Sequence, residues 1–356
     1  MRVRSPRVLV FAGALVATAF VLAAPSGAAE RNAYVVTNLV SNTAAVPAAS
    51  HDPSLVNAWG LTASSTSPWW VADNGADVST LYNGSTGAKV PLTVVVDGGP
   101  TGTVFNIAGG TTFPVPGGQS SRFLFASEDG KIRGWPGTGP AQVTAAQSSV
   151  PGAIYKGLAI AVTAGGPRLY ATDFHNGRVD VWDGSWALVS TGSTFVDPDL
   201  PDGYAPFGIQ TIGTRVFVTY AKQDEDAADE LHGQGLGIVD VFDTAGALLA
   251  RVAQHGQLNA PWGVAMAPES FGRFGGDLLI GNFGDGQINA YEEQGNGRFA
   301  HRGELRGGDG NKPLAIDGLW ALEFGNDGNA GPSTRLFFTA GPNDEADSLF
   351  GSIDPA

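Results

Sequence analysis

The sequence predicts an all-β protein, a six-bladed β-propeller with four-stranded blades whose last blade is closed by the N-terminal strand. Three observations lead to this prediction. Short apolar runs are separated by Gly, Asp, Asn and Pro, and no long stretch has helical periodicity. A unit of roughly fifty residues recurs six times along the chain, which is typical of propeller blades. The last unit is one strand short, and the N-terminal region has one strand to spare.

The chain begins with the pattern of a secretory signal peptide. Three arginines precede an apolar run from Val8 to Ala24, and small residues follow in "SGAAE". This pattern predicts that residues 1–29 are removed and that residues 30–356 form a single β-propeller domain outside the cell. A retained membrane anchor is the alternative, although the apolar run is short for a membrane span.

Charge and cysteine content limit the function classes. The chain has 34 acidic and 20 basic residues, and loss of the three signal-peptide arginines changes the net charge from −14 to −17. Such a chain repels nucleic acid and anionic membranes, so we expect neither as a partner after signal cleavage. The absence of cysteine excludes disulfides, thiolate metal sites and cysteine nucleophiles. A chain of this length can bury a large core without cross-links, and we expect a monomer.

Each repeated unit contains a hairpin whose first strand is apolar and ends in a polar residue. "YATDFHNGRVDVWD" aligns with "IGNFGDGQINAYEE", so that Asp173 corresponds to Asn282 and Trp182 to Tyr291. Asp73 has the corresponding place in "VADNGADVSTLYN". The fourth unit carries a long acidic insertion, "KQDEDAADELHGQG", which we interpret as a solvated loop or as a lid over the channel.

A glycine motif precedes each hairpin and predicts the innermost strand. It reads "NAWGLT", "APFGIQ" and "APWGVA" in three units, and "PTGTVFN", "YKGLAI" and "DGLWALEF" in the others. Innermost strands crowd around the propeller axis, where a side chain at the glycine would collide with a neighbour. The neighbouring Trp or Phe is predicted to pack between blades.

The two ends of the chain predict how the ring closes. The last unit has only three strands, whereas "AYVVTNLVS" near the N-terminus is a strand without a unit of its own. If this strand forms the outer edge of the sixth blade, every unit is complete and no open sheet edge remains there. A parallel β-helix is the alternative fold, but its repeats are shorter.

The polar residues of the repeats are predicted to surround one channel mouth. In a propeller, the turns between second and third strands lie on the same rim as the lead-in segments, which we define as the segments preceding the innermost strands. Asn57 and Lys156 lie in lead-in segments and therefore on this rim, but the sequence assigns neither residue a role. The predicted ligand-binding residues are Asp73, Asn74, Glu128, Asn282, His232, Asp317, Asn343 and Glu345.

Asp73, Asp173 and Asn282 have two interpretations. Asp and Asn at a strand end cap the following turn by bonding its backbone amides. Alternatively, their oxygens form a ring of ligands for a divalent metal, with Ca²⁺ the first choice. Both interpretations can hold in different blades.

His175 departs from the repeat, because Gly75 and Gly284 take its place in other units. Residues that break a pattern are candidates for function, so His175 and Asp173 are the predicted catalytic residues. A Zn or Cu site made of His51, His175 and His232 is a further possibility.

Several phrases together resemble a family of secreted bacterial proteins, some of which carry a C-terminal sorting signal of the PEP type. The phrases are "TNLVSN", "DPSLVNAWGL", "YATDFHNGRVDVWD" and "FFTAGPNDEADSLFGSI". The end at "GSIDPA" lacks this signal, so a freely released protein is expected. The blades are also distantly similar to NHL-repeat and lactonase-type propellers. That resemblance implies a divalent metal in the channel, with Asp73, Asp173 and Asn282 at comparable places.

Two functions follow from these observations. The first is a secreted propeller that presents a polar, acidic channel mouth to a small molecule, a glycan or a protein. The alternative is a metal-dependent hydrolase or lyase, similar to lactonases, with its site at the same mouth.

The signal-peptide prediction has a direct test. Protein recovered from the medium of secreting cells should have the intact mass of residues 30–356, within a residue or two of that boundary. A mass that includes the N-terminal 29 residues would favour the retained anchor.

Overall fold

The computed structural model describes residues 1–3, 31–190, 193–295, 297–308 and 310–356. The chain divides into two units, Met1–Glu30 and Arg31–Ala356. The signal-peptide prediction falls almost wholly outside the described residues and stays a prediction. None of the helices in the described parts has the length and apolar character needed to span a membrane.

Among the described residues from Arg31 onward, 25 strands form six sheets, each a blade, and all pair antiparallel except Tyr34–Ser41 with Ser50–His51. Blade 1 consists of β3 (Ala58–Thr62), β4 (Trp69–Asp73), β5 (Val78–Tyr82) and β6 (Lys89–Val95). Blade 2 consists of β7 (Pro100–Phe105), β8 (Phe123–Ser127), β9 (Ile132–Trp135) and β10 (Gln142–Val143). Blade 3 consists of β11 (Tyr155–Thr163), β12 (Gly166–Asp173) and β13 (Arg178–Asp183).

Blade 4 consists of β14 (Tyr204–Ile212), β15 (Arg215–Gln223), β16 (Glu230–Leu231), β17 (Ile238–Asp243) and β18 (Leu248–Gln254). Blade 5 consists of β19 (Pro261–Met266), β20 (Leu278–Asn282), β21 (Ile288–Glu293) and β22 (Phe299–Glu304). Blade 6 consists of β23 (Leu319–Phe324), β24 (Leu336–Ala340), β25 (Leu349–Pro355), β1 (Tyr34–Ser41) and β2 (Ser50–His51). Two short 3-10 helices cover Asn74–Ala76 and Gly272–Phe274.

The six-bladed propeller predicted from the repeat is confirmed. Blade 3 differs in its outer edge, where a single bridge between Trp182 and Leu188 stands in place of a fourth strand. In blade 4 the insertion adds β16, which pairs with the end of β15 beyond the ordinary ladder.

The N-terminal strand closes the ring as predicted. β1 pairs antiparallel with β25, from Tyr34 opposite Pro355 to Ser41 opposite Leu349. The Tyr34 hydroxyl also donates to the Phe271 carbonyl at 3.1 Å, which ties the closing strand to blade 5. The closing strand therefore both covers the edge of β25 and links two blades.

The glycines of the innermost strands allow neighbouring blades to approach each other at the axis. A Cβ atom at Gly208 would lie 2.2 Å from the Trp262 carbonyl oxygen, and one at Gly60 would lie 2.4 Å from the Thr101 carbonyl oxygen. Hydroxyls bond across the same contacts: Thr172 donates to the Phe207 carbonyl at 2.7 Å. Backbone thus packs directly against backbone around the channel, as the glycine motif predicts.

Gly208 should therefore not tolerate a methyl group. We expect Gly208→Ala to lower the free energy of unfolding by about 1–3 kcal/mol, because the backbone of β19 would have to move. Urea titration followed by tryptophan fluorescence measures this. Gly295→Ala is the matched control, since a Cβ there meets nothing within 4 Å, and it should change stability by about 0.5 kcal/mol or less. Equal effects of both substitutions would contradict the packing argument.

Candidate functional site

The turns between second and third strands lie beside the lead-in segments, as predicted. In every blade one backbone N–H of the turn region donates to a carbonyl of the lead-in segment. The pairs are Asn74 to Asn57, Glu128 to Gly99, Phe174 to Ile154, Gln223 to Gly203, Phe283 to Ala260 and Gly341 to Gly318, at 2.8–3.0 Å. These bonds place the predicted polar residues on one rim, which we call the upper rim.

Asp73, Asp173 and Asn282 are buried strand-end residues bonded within their own blades. Asp73 accepts the Thr80 N–H at 2.9 Å, and Asp173 accepts the Asn176 and Ile154 N–H groups at 3.2 and 3.3 Å. The Asn282 amide donates to the Gln257 carbonyl at 2.8 Å and to Asp285 at 3.1 Å. Burial raises the pKa of Asp73 and of Asp173. Asp173 thus caps its own turn, whereas Asp73 bonds the backbone of the next strand and the Asn282 amide donates to a carbonyl and a carboxylate.

The residues present do not fit the divalent metal that the lactonase resemblance implies. In the described parts of the chain, no three His, Asp or Glu side chains are grouped so that they could hold a metal ion. One oxygen each of Asp73 and Asn282 finds no hydrogen-bond partner among the described residues, and a ligand ring that includes the Asn282 amide stays a prediction.

His175 and Asp173 do not form a pair in the structure. Asp173 is fully buried and bonded to its turn, whereas the imidazole of His175 is exposed and its Nδ1 lies 3.2 Å from the Ala227 carbonyl oxygen. Ala227 belongs to the connection between β15 and β17, residues 224–237, which we call the insertion loop. His175 therefore contacts this loop, and its catalytic role stays a prediction.

The other two predicted histidines have separate surroundings. His51 Nδ1 lies 2.8 Å from the Ser41 hydroxyl. The ring of His232 lies against Phe283, with 5.6 Å between ring centroids. The three-histidine metal site is therefore not formed.

Lys156 lies at the centre of a charged cluster on the upper rim. Its side chain is 1% exposed, and its Nζ lies 2.6 Å from Glu128 Oε1 and 2.8 Å from Asp229 Oδ1. The ammonium also lies 5.1 Å from the ring centroid of Trp59. Burial lowers the pKa of Lys156, yet the carboxylates of Glu128 and Asp229 outweigh it and hold the pKa above its usual range. Lys156 is therefore a permanent buried cation.

Two asparagines extend this cluster into blade 1. Glu128 Oε2 accepts the Asn74 side-chain amide at 2.8 Å, and Asn74 Oδ1 accepts the Asn57 amide at 3.3 Å. Two predicted ligand-binding residues, Asn74 and Glu128, thus meet in one network with Lys156.

Glu345 and Glu230 bring two more carboxyl groups to Lys156. Burial raises the pKa of Glu345, against the opposing effects of Asn57 and Lys156. Burial also raises the pKa of Glu230 to about 8, and the nearby charges of Glu345 and Asp229 act in the same direction. At neutral pH, Glu230 therefore carries a proton while Lys156 is charged.

The turn of blade 6 separates Glu345 from the other predicted residues of that turn. Asn343, Asp344 and Glu345 all have positive φ angles of 60°, 52° and 62°. Asp317 accepts the Asn343 N–H at 3.0 Å, and the Asn343 side chain donates to Asp347 at 2.6 Å. The left-handed turn directs only Glu345 toward the cluster.

An aromatic cluster lies beneath Lys156 and fills the channel. The ring centroids of Trp59 and Trp320 are 3.5 Å apart in a stacked arrangement, and Phe283 stacks on Trp320 at 4.1 Å. Trp262 meets both tryptophans edge-on, at 6.3 and 5.8 Å. The sequence predicted contacts between adjacent blades, but Trp59 of blade 1 and Trp262 of blade 5 meet across the channel.

Sequence reasoning gave Lys156 no role and did not single out Asp229. A signal for Lys156 was present: it precedes the inner-strand glycine, where Trp59, Phe207 and Trp262 stand in other blades. A lysine in an aromatic column indicates a buried cation at the axis. Asp229 had no such signal, because it is one of several acidic residues in the insertion.

The sheets define the chain as a six-bladed β-propeller, and a cluster of charged side chains surrounds Lys156 on its upper rim. No family model matches the chain. Solved propellers that share the fold include virginiamycin B lyase from Staphylococcus aureus, with a TM-score of 0.52, 14% identity and 90% of this chain and 99% of that chain covered. The PQQ-bound aldose sugar dehydrogenase of Streptomyces coelicolor has a TM-score of 0.50 and 14% identity, with 92% and 99% covered. At these identities the likeness concerns the fold alone.

Within this class, the chain belongs to the family of two uncharacterized proteins of Acanthamoeba polyphaga mimivirus. It is 32% identical to protein R648 over 339 residues, covering 90% of this chain and 79% of the viral protein. It is also 32% identical to protein L690 over 339 residues, covering 89% and 85%. These relatives are viral, and the resemblance to secreted bacterial proteins stays a prediction.

The raised pKa of Glu230 predicts a pH-dependent contribution to stability. Between its ordinary value of 4.5 and about 8, the folded protein keeps a proton that the unfolded chain releases, so stability falls as pH rises through this window. The free energy of unfolding of Glu230→Gln, measured relative to the wild type, should therefore be higher at pH 9 than at pH 5. The expected change in this difference is on the order of 1–2 kcal/mol, after allowance for partial exposure. Urea titrations at both pH values measure it. The exposed Glu225→Gln is the control, and a constant difference between Glu230→Gln and the wild type would refute the prediction.

Proposed function

We propose that the protein is a ligand-binding β-propeller whose site is the channel mouth around Lys156, closed by the insertion loop. The observation that carries the proposal is the asymmetry of the Lys156 ion pairs. Lys156 is 1% exposed, but the side chain of Asp229, on the insertion loop, is 71% exposed. An exposed loop carboxylate thus occupies a bonding position on a buried cation, where a carboxylate from solution can replace it.

The contacts of the insertion loop support its role as a lid. The loop meets blade 3 at Lys156 and His175, and it meets blade 5 where the Gly233 N–H donates to Asn259 Oδ1 at 2.7 Å. The loop also pairs with β15 through β16, packs His232 against Phe283 and bonds the segment before β19 through Gly235 and Leu236. We expect opening of its exposed part, around Asp229, to cost less than unfolding a blade. An open loop exposes the ammonium, Glu128 and the face of Trp59.

The chemistry of the mouth favours a small acidic ligand with a polar body. Lys156 bonds the carboxylate of the ligand, while Asn74 and the carboxyl groups of Glu128 and Glu345 accept or donate hydrogen bonds to hydroxyls. Trp59 supplies an apolar face beneath them. An acidic sugar combines these features, in keeping with a small-molecule or glycan ligand.

Hydrolase or lyase chemistry at the same mouth is the second candidate function. Glu230, whose pKa burial raises to about 8, lies near Lys156, which is bonded to Glu128. A carboxyl group with a raised pKa beside a buried cation can act as an acid. His175 and Asp173 take no part in this version, and no step in it uses a metal.

The cellular location proposed for this function is extracellular, on the strength of the N-terminal 29 residues alone. The acidic charge argues against nucleic acid and anionic membranes as partners.

The binding proposal is tested with D-glucuronate and D-glucose, which differ at one carbon. Isothermal titration calorimetry should give saturable binding of glucuronate and at least tenfold weaker binding of glucose, because only glucuronate can replace Asp229 on Lys156. Asp229→Asn should bind glucuronate several-fold more tightly, because the competing carboxylate is gone. Lys156→Met should lose binding, and the exposed Asp226→Asn is the matched control.

Equal affinity for both sugars, or glucuronate binding that survives Lys156→Met, would overturn the binding proposal. Release of nitrophenol from 4-nitrophenyl β-D-glucuronide separates the two functions. A binding protein leaves this compound intact, whereas an enzyme cleaves it and loses the activity in Glu230→Gln.

A further inference from the structure

A second cavity opens at the opposite end of the channel, at the carboxyl ends of the innermost strands. It has a volume of about 320 Å³ and is bounded by β3, β7, β11, β14 and β23 together with the residues that follow β3, β7 and β14. Its walls combine apolar side chains, among them Leu61, Val104 and Ile160, with polar ones, among them Thr103, Thr211 and Gln210. The sequence predicted less polar hairpins on this rim and assigned it no function.

One carboxyl group faces this cavity. Glu323 lines it, and the Gln210 side-chain amide donates to Glu323 Oε2 at 3.0 Å. Glu323 is the only titratable residue among those that line the cavity. Burial raises its pKa to about 7, with the Gln210 bond acting in the opposite direction. Burial deprives the ionised carboxylate of stabilising water, and a cationic partner would stabilise its charge instead.

The cavity is separate from the upper mouth. A narrower space of about 30 Å³ continues from Leu61, Gln210 and Glu323 toward Trp262. Trp262 packs edge-on against Trp59 and Trp320, so the aromatic cluster closes the channel between the two ends. A ligand at Glu323 therefore does not reach Lys156.

We propose that this cavity is a second binding site, for a small organic ammonium ion with an apolar body. The ammonium donates hydrogen bonds to Glu323, and the apolar body contacts Leu61, Val104 and Ile160. The volume is in the range of small-molecule sites, which combine apolar walls with a few polar groups. The net charge of −14 attracts cations to the protein.

The probe for this site is n-hexylammonium chloride, with n-hexanol as the uncharged match. Calorimetry at pH 8 should give saturable, one-to-one binding of n-hexylammonium and at least tenfold weaker binding of n-hexanol. Glu323→Gln should weaken n-hexylammonium binding at least tenfold, because the charge pair is lost while the shape is kept. Glu225→Gln, which removes an exposed carboxylate on the upper rim, should leave it unchanged.

Two further measurements guard against indirect effects. Ala63→Trp places a large side chain in the lining of the cavity and should abolish binding while the melting temperature stays near that of the wild type. For the wild type, binding should weaken about tenfold from pH 8 to pH 6, because Glu323 with a pKa of about 7 is mostly protonated at pH 6.

The proposal is overturned if n-hexanol binds as tightly as n-hexylammonium, or if Glu323→Gln binds like the wild type. Unaltered binding in a folded Ala63→Trp protein would overturn it as well, as would the absence of any saturable heat.

Discussion

The close approach of the innermost strands around the axis is the constraint on which the rest of the structure depends. At Gly208 and Gly60, the neighbouring carbonyl oxygen occupies the space that a Cβ would need. This packing fixes the rotation of each inner strand. The residue before each glycine is thereby directed into the channel, which is why Trp59, Phe207 and Trp262 meet there with Trp320.

The same constraint explains the burial of Lys156. A buried ammonium is costly unless ion pairs and hydrogen bonds compensate it. Lys156 stands in the column that points into the channel, and it reaches Glu128 from blade 2, Asp229 from blade 4 and Trp59 from blade 1. One cation thus stands among several carboxyl groups, and those that burial affects most, Glu230 and Glu345, have raised pKa values. A permanent positive charge and carboxyl groups that bind protons more readily than usual therefore lie side by side at the mouth.

The aromatic cluster divides the channel into two environments with different chemistry. Above it, Lys156 and its partners form a polar mouth under the insertion loop. Below it, Glu323 faces a cavity lined by both polar and apolar side chains, with Gln210 as its partner. Propellers as different as a virginiamycin B lyase and an aldose sugar dehydrogenase share this fold, so function here follows from these side chains and not from the ring itself.

The sequence alone determined the architecture, because each blade is a local pattern. A window of about fifty residues is enough to recognise the inner-strand glycine and the hairpin strand that ends in Asp or Asn. The unpaired strand near the N-terminus is recognised in the same way. The rim position of Asn74, Glu128 and Glu345 followed from that pattern. Asp73, Asp173 and His175 could not be assigned from it, since an aspartate at a strand end has the same sequence context whether it caps a turn or binds a ligand.

Only the tertiary structure decided which polar residues meet. The cluster at Lys156 joins side chains from five blades, and its ion pairs depend on distances of 2.6 and 2.8 Å that exist only when the ring is closed. The inward turn of Glu345 depends on three successive left-handed residues that no composition rule predicts. Local sequence specifies strands and turns, whereas contacts between side chains distant in the chain are set by how six blades pack around one axis.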